Sequence, residues 1–212
     1  TLVENISLYV HVPFCDARCD YCDFYSQSGV DYSSKARYVE ILLDQLKRDM
    51  ERYRIEGFRT IYIGGGTPTV LGASLLERLV AGIGDCSASS ATEWTVEANP
   101  ESLNAAIVEM LASSPVDRIS LGIQSLYPRA RRFLGRRGSV DTNRRALDIL
   151  EEKWNGRLSL DFIRGLPVDE SLALDAELKA LRLSRVDHLS LYDLSLEEGT
   201  PLYKRLTDKH RE

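Results

Sequence analysis

Short β-rich segments alternating with longer stretches of helical periodicity constrain this chain more than any other feature. Segments 7–11, 59–63, 93–98, 118–123, 158–163 and 186–191 combine branched and aromatic residues in short runs of strand length. Between most of them, apolar residues recur at helical spacing. The stretch from 32 to about 54 sets Tyr38, Ile41, Leu42 and Leu46 along one side, and 74–83 carries the stripe Leu75, Leu76, Leu79 and Val80. Segments 101–111, 140–150 and 171–183 complete the set. Asn99-Pro100-Glu101-Ser102 reads as a strand exit and helix start, because proline suits a first turn. Alternation of this kind predicts parallel strands joined by crossover helices. Two architectures satisfy it: an open doubly wound sheet, or a partial barrel that stops short of the eight units of a TIM barrel. Both gather binding groups at the C-terminal ends of the strands. There the unusual residues fall: Cys15 after the first segment, a glycine run after the second, Glu97 near the end of the third and Gln124 after the fourth, with Asp161 inside the fifth.

At 212 residues the chain is large enough to bury one substantial core. The net charge of -5 is spread without a dense basic block, so nothing favours nucleic acid as a partner. The first residues lack the basic and apolar regions of a signal peptide. No apolar run reaches the ~18 residues of a membrane-spanning helix. A cytoplasmic location is the simplest expectation. No repeat, linker or low-complexity tract marks a second domain, so residues 1–212 are expected to form one core domain. The tail beyond Tyr192 ends without a strong stop, as the N-terminal portion of a longer protein would.

Four cysteines are too few for a disulfide scaffold of this size. Cys86, in the soft segment 84–90, is expected to be an incidental loop residue. The other three stand as Cys15-x-x-x-Cys19-x-x-Cys22, close enough to wrap one metal centre without help from distant residues. Soft thiolates suit iron–sulfur clusters and zinc. A structural zinc needs a fourth ligand, and apart from His11, four residues upstream, none is obvious nearby. An electron-transfer [4Fe–4S] cluster is ordinarily held by four cysteines, so three point to a cluster with one iron open to a small molecule. Redox or structural thiols are the third reading.

Gly64-Gly65-Gly66-Thr67-Pro68-Thr69 follows the second predicted strand. Its glycines permit a tight turn or a close approach to a ligand. The run lacks both the spacing of a dinucleotide fingerprint and the lysine of a phosphate-binding loop. Glu97 sits among small and apolar neighbours, either facing solvent or buried with a partner. Asp161, between apolar residues near a strand end, needs donors for the same reason.

The run Tyr9-Val10-His11-Val12-Pro13-Phe14-Cys15-Asp16-Ala17-Arg18-Cys19-Asp20-Tyr21-Cys22-Asp23-Phe24 resembles the cluster-binding motif of radical S-adenosylmethionine (SAM) enzymes. It is most similar to the branch holding the HemW-like heme chaperones and the oxygen-independent coproporphyrinogen III dehydrogenases (HemN). The likeness extends from Ser7 to about Lys204. It implies an open, partial (β/α)6 TIM-like barrel with parallel strands and outer helices. It also implies a [4Fe–4S] cluster on Cys15, Cys19 and Cys22, with SAM on the open iron. Gly64, Gly65, Gly66 and Thr67 would contact the amino end of SAM, Glu97 its ammonium group and Arg136 its carboxylate. Arg131, Arg132 and Arg137 crowd the same region, and only the family register selects Arg136. Gln124 and Asp161 would hold the ribose hydroxyls, Tyr9 would pack near the cluster or sulfonium, and backbone groups of 193–195 would meet adenine. An external electron donor would reduce the cluster, cleaving SAM to methionine and a 5′-deoxyadenosyl radical. No side chain is required as a general base, so no catalytic residue is assigned.

Within that branch the resemblance implies one of two roles. A dehydrogenase would decarboxylate the propionates of coproporphyrinogen III. A chaperone would carry heme to recipient heme proteins, and peripheral membrane association is compatible with that role. The dehydrogenase pattern has a further cysteine where this chain has Phe24, and a longer leader before its motif. Asp193-Leu194-Ser195-Leu196-Glu197-Glu198-Gly199-Thr200-Pro201 also looks more like the chaperones. The expectation is therefore a HemW-like heme chaperone. A radical SAM enzyme with an unrelated organic substrate is the third reading. Arg164 replaces the aromatic residue expected before Gly165-Leu166-Pro167. None of His11, His188 and His210 is singled out as a heme ligand.

Overall fold

The computed structural model describes residues 6–87, 91–166, 177–179, 181 and 185–208. Its strands are β1 (Ser7–Val12), β2 (Thr60–Gly65), β3 (Glu93–Ala98), β4 (Arg118–Gln124), β5 (Arg157–Arg164) and β6 (His188–Asp193). They form one sheet in the order β1-β2-β3-β4-β5-β6, and every neighbouring pair is parallel. This order decides between the two architectures. A doubly wound sheet reverses its strand order partway, which puts helices on both faces. Right-handed crossovers in unbroken sequence order send the helices to one face and curl the sheet into a partial TIM-like barrel. Among the described residues, β1 and β6 are its edges.

The helices are α1 (Tyr32–Tyr53), α2 (Gly72–Cys86), α3 (Ala105–Ala112), α4 (Pro128–Phe133), α5 (Val140–Lys153) and α6 (Pro201–Asp208). Their starts have local causes. The Asp31 carboxylate accepts the Ser34 N–H at 2.9 Å, Asn104 accepts the Ile107 N–H at 3.0 Å, and Ser139 and Thr142 form a capping box. Val10, Ile63, Val96, Leu121 and Leu160 are buried where the sheet packs on the helices. The other strand face is polar. Glu97, Ser120, Ser159 and His188 are consecutive register partners across β3 to β6, and Gly122, Asp161 and Ser190 form the next row.

Three expectations change. α1 buries Val39, Leu43, Leu46 and Met50, whereas Ile41 is 52% exposed. At 100° per residue the buried four form a tight stripe, and Ile41 lies some 200° from Val39 on the opposite side. The helix expected from 101 begins at Ala105, because Asn104 caps it, and 99–103 form a turn in which Ser102 and Leu103 donate to the Asn99 carbonyl. Cys86 is the last residue of α2, packed against the core rather than placed in a loop. Of the expected helix 171–183, residues 177–179 are helical, while 171–176, 180, 182 and 183 lie outside the described residues.

The α1 stripe yields a direct test in urea unfolding. Leu46→Ala is expected to cost about 2–5 kcal/mol, and Ile41→Ala to stay within about 0.5 kcal/mol. Equal losses at the two positions would overturn the face assignment.

Candidate functional site

The three cysteines lie on the irregular segment that leaves β1. Its neck is closed by two backbone bonds, Gln27 N–H to the Pro13 carbonyl at 2.7 Å and Cys15 N–H to the Gln27 carbonyl at 3.0 Å. Inside the loop, Cys22 N–H donates to the Cys19 carbonyl at 3.2 Å, and the Arg18 guanidinium caps the Cys22 carbonyl from Nε at 3.3 Å and Nη2 at 3.2 Å. All three cysteines are free and part-buried. Burial pushes the Cys19 and Cys22 thiols up, against the pull of Arg136 on Cys19 and of the Phe24 N–H on Cys22. Both are therefore protonated at neutral pH in the metal-free chain. Among the described residues, no three His, Cys, Asp or Glu side chains gather tightly enough for a single metal ion.

The thiols open onto a cavity of about 630 Å³, a size suited to a small-molecule ligand. Gly65, Gly66, Thr67, Glu97, Gln124, Arg136 and Asp161 line the same cavity. Parallel pairing produces this convergence, because every strand delivers its C-terminal end to one rim. Two of the glycines lie inside β2 rather than after it: Gly64 pairs with His11 and Gly65 with Val12. Beyond them, Gly66 N–H donates to the Val12 carbonyl at 2.8 Å and Thr67 N–H to the Phe14 carbonyl at 2.7 Å. A Cβ at Gly66 would fall 2.6 Å from the Phe14 carbonyl oxygen, so only glycine permits this approach. The contact brings the Thr67 hydroxyl within 3.6 Å of Cys15 Sγ.

Glu97 is a part-buried carboxylate with a prepared shell. Tyr62 donates its hydroxyl at 2.7 Å, and Gly65 its N–H at 3.1 Å. Burial nevertheless raises the Glu97 pKa above the usual glutamate value, and nearby Asp161 adds to the rise. Asp161 is shifted up for the same first reason, burial, while Ser190 and Ser120 oppose it. The Ser120 hydroxyl lies 3.2 Å and 3.0 Å from its two oxygens. Gln124 ends β4 at an irregularity in the pairing with β5, with φ +63°. The left-handed region costs a non-glycine residue about 1–2 kcal/mol. Gly122 makes room beside it, since a Cβ there would lie 2.8 Å from both the Gln124 amide nitrogen and Asn99 Oδ1.

Arg136 and Arg131 have separate tasks. Arg131 is buried against main chain, donating to the carbonyls of Gly138, Ile123 and Ser125 at 2.8, 3.0 and 3.2 Å. Arg136 faces the cavity. Its Nη2 donates to Glu101 at 3.0 Å and to the Gly122 carbonyl at 2.9 Å. Among the described residues its Nη1 makes only long contacts, 3.4 Å to Asn99 Oδ1 and 3.7 Å to Cys19 Sγ, and its buried Nε has no partner. Arg132 and Arg137 are exposed. Of the basic cluster, Arg136 is the member that lines this cavity. Glu101 and Asn99 were not singled out by sequence reasoning. Glu101 pairs with both buried arginines at 3.0 Å, and Asn99 donates to Thr67 Oγ1 at 2.8 Å while its Oδ1 faces Arg136. A strand exit rich in polar residues was their signal in the sequence.

The Radical SAM superfamily profile matches residues 9–175. The chain belongs to the radical SAM superfamily. It is 32% identical over 200 residues to the heme chaperone HemW of Lactococcus lactis, a match that covers 94% of this chain and 52% of that protein. It is also 32% identical over 206 residues to the mitochondrial radical S-adenosyl methionine domain-containing protein 1 of Bos taurus, covering 96% of this chain and 46% of that one. The Escherichia coli coproporphyrinogen III oxidase HemN superposes with a TM-score of 0.78 at 20% identity, over 98% of this chain and 52% of HemN. The chain thus spans about half the length of the curated relatives it matches. Radical SAM enzymes of this fold typically bind a [4Fe–4S] cluster and SAM.

The residues present fit that pair of groups chemically. Three free thiols on one loop offer soft ligands and no fourth cysteine. Across the cavity, part-buried Glu97 and buried Arg136 offer opposite charges to a zwitterion. Tyr9 and Gly64 do not line the cavity: Tyr9 stacks on Tyr62 with centroids 6.2 Å apart and contacts His11 Nδ1 at 3.1 Å, and Gly64 leaves the space that Glu97 fills. Residues 193–195 do line it, with the Leu194 N–H spent on the Arg164 carbonyl at 3.0 Å. Arg164 itself pairs with Asp193 at 2.5 Å and 3.0 Å. Both ring nitrogens of His11 are engaged, the second by the Tyr25 carbonyl at 3.1 Å. His188 contacts Ser159, and His210 lies outside the described residues.

The raised pKa of Glu97 predicts a pH dependence. The folded chain holds this proton more tightly than the unfolded chain does, so stability falls as pH rises from about 4.5, the ordinary value, through the raised one. Urea unfolding of the metal-free chain should therefore show Glu97→Gln gaining on the wild type between pH 4 and 8. A difference that is flat with pH would contradict the burial of the charge.

Proposed function

We propose that this chain is the radical SAM core of a HemW-like heme chaperone, which holds a [4Fe–4S] cluster and SAM and delivers heme to heme proteins. The observation that carries this reading over the dehydrogenase is Phe24. It stands where the dehydrogenase pattern has a further cysteine, and it lines the cavity with its ring largely exposed. The HemW proteins among its relatives support the same choice. We place the protein in the cytoplasm, with an external electron donor and recipient heme proteins as its partners.

Cys15, Cys19 and Cys22 would ligate the cluster, each giving up its thiol proton. When bound and reduced, the cluster supplies the electron for reductive cleavage of SAM. The residues of this chain bind and orient. Glu97, kept in place by Tyr62 and Gly65, would receive the ammonium group, and Arg136 Nη1 would meet the carboxylate. Gln124 and Asp161 would accept from the ribose hydroxyls, and Thr67 would steady the Cys15 side. Tyr9 and Gly64 would act one layer away, by stacking under Tyr62 and by leaving room for Glu97. The main chain of 193–195 would border the adenine. No proton transfer by a side chain is needed beyond release from the thiols.

Two measurements test the reading. Anaerobic reconstitution should give iron and acid-labile sulfide in near-equal amounts, lost when all three cysteines are changed to alanine; stoichiometric zinc without sulfide would sink the cluster assignment. The reconstituted protein should then be offered heme and coproporphyrinogen III in parallel. Heme binding and transfer without decarboxylation is the expected result, and robust turnover of coproporphyrinogen III would replace the chaperone with the dehydrogenase.

A further inference from the structure

The cysteine loop is tied down at a residue that is not a ligand. Asp20, between Cys19 and Tyr21, uses every polar group it has. Its N–H donates to the Leu134 carbonyl at 3.0 Å, and its carbonyl accepts the Leu202 N–H from the first turn of α6 at 2.8 Å. Its carboxylate pairs with Arg205, one turn further along α6, at 2.5 Å. The other arm of Arg205 donates to the Phe133 carbonyl at 2.5 Å, with the guanidinium 5.5 Å from the Phe133 ring centroid. The opposite wall is equally close: a Cβ at Gly135, whose φ is +69°, would lie 2.5 Å from Asp20 Cγ. One arginine thus bridges the cysteine loop and the turn that leads to Arg136.

α6 is seated firmly enough to act as an anchor. Leu202 and Thr200 are fully buried. The Thr200 hydroxyl donates to the Glu197 carbonyl at 2.7 Å and accepts the Tyr203 N–H at 3.2 Å, which fixes the start of the helix. The contact joins residues 185 positions apart, so nothing local in the loop supplies it. Beside Asp20, Cys19 Sγ faces Arg136 Nη1 at 3.7 Å, and Tyr21 is part-buried. A shift of Asp20 must therefore move the Cys19 thiol relative to the cavity.

We infer that Asp20 and Arg205 are a positioning pair for the iron–sulfur cluster, through which the docking of α6 holds Cys19 in ligating position. This rests on the cluster reading above. Neither residue touches the cluster; each acts through the loop. The pair makes retention of the middle ligand depend on a helix that follows the last described strand, so whatever displaces α6 loosens the cluster.

The test uses the chain reconstituted anaerobically with iron and sulfide. In Arg205→Ala, release of iron to a chelator should quicken about tenfold, as when a partner of a metal ligand is removed. The electron paramagnetic resonance signal of the reduced cluster should broaden, while far-UV circular dichroism and the melting temperature of the metal-free chain stay as in the wild type. Asp20→Asn should show the same release rate, and the double variant should be no faster than either single one. Should Arg205→Ala fail to fold, Arg205→Lys and Asp20→Asn carry the measurement, since both keep the packing. Release at the wild-type rate, or additive effects in the double variant, would overturn the pairing while leaving the cluster in place. A wild-type chain that takes up no sulfide would overturn the cluster reading itself, and this inference with it.

Discussion

Parallel pairing in unbroken sequence order is the constraint on which the rest of the molecule depends. Six strands joined that way must all end at the same rim, and their right-handed connections must all pass over the same face. The helical face then holds the apolar core, and the opposite face is free to be polar. The row Glu97, Ser120, Ser159 and His188 exists because neighbouring strands share one register. On β3, β4 and β5 these residues alternate with buried apolar ones, as the twofold period of a strand requires, while on the edge strand β6 Leu189 beside His188 is only part-buried. Loops beyond the strand ends need only add the thiols and the arginine to complete one cavity.

Charge inside that cavity is arranged by compensation rather than by isolation. Arg131 and Arg136 lie close enough for mutual repulsion, and Glu101 sits between them with one oxygen on each. Removing Glu101 would leave two buried guanidinium groups facing one another, a far worse state than the loss of one surface ion pair. Glu101 leaves Arg136 only partly satisfied, because among the described residues Nη1 has long contacts and Nε none. Glu97 is in the reverse condition: both its oxygens have donors, yet burial still raises its pKa. An under-satisfied cation and an under-compensated carboxylate line one cavity, and a zwitterionic ligand would relieve both.

The sequence exposed features whose signal is local. Strand centres followed from β-branched runs, and the cysteine triplet from its spacing. Glu97, Gln124 and Asp161 stood out because polar residues at strand ends are expensive without a purpose. The choice between a doubly wound sheet and a barrel was not local, since it depends on which strands become neighbours. The face of α1 was misjudged at Ile41 because several apolar residues fit a helical period, and only packing selects Val39, Leu43, Leu46 and Met50. The helix start at Ala105 was hidden by Pro100, a good first-turn residue that here belongs to a turn. Asn99 and Glu101 drew no notice for the same reason. Their roles arise from Thr67 and Arg136, which reach them only through folding.

The cysteine loop shows why such distant partners matter. Its own bonds close the neck at Cys15 and Gln27 and turn the chain between Arg18 and Cys22, but the contacts that Asp20 makes at its middle all come from outside the loop. An irregular segment left in that state would exchange among many conformations, and ordering it around a ligand would cost conformational entropy at the moment of binding. Contacts from the Leu134–Gly135 turn and from α6 remove that freedom beforehand, at Asp20. Preorganisation of this kind belongs to the tertiary structure and not to the motif. A Cys-x-x-x-Cys-x-x-Cys spacing therefore states which atoms are offered, while the contacts that seat the middle of the loop come from residues more than a hundred positions away.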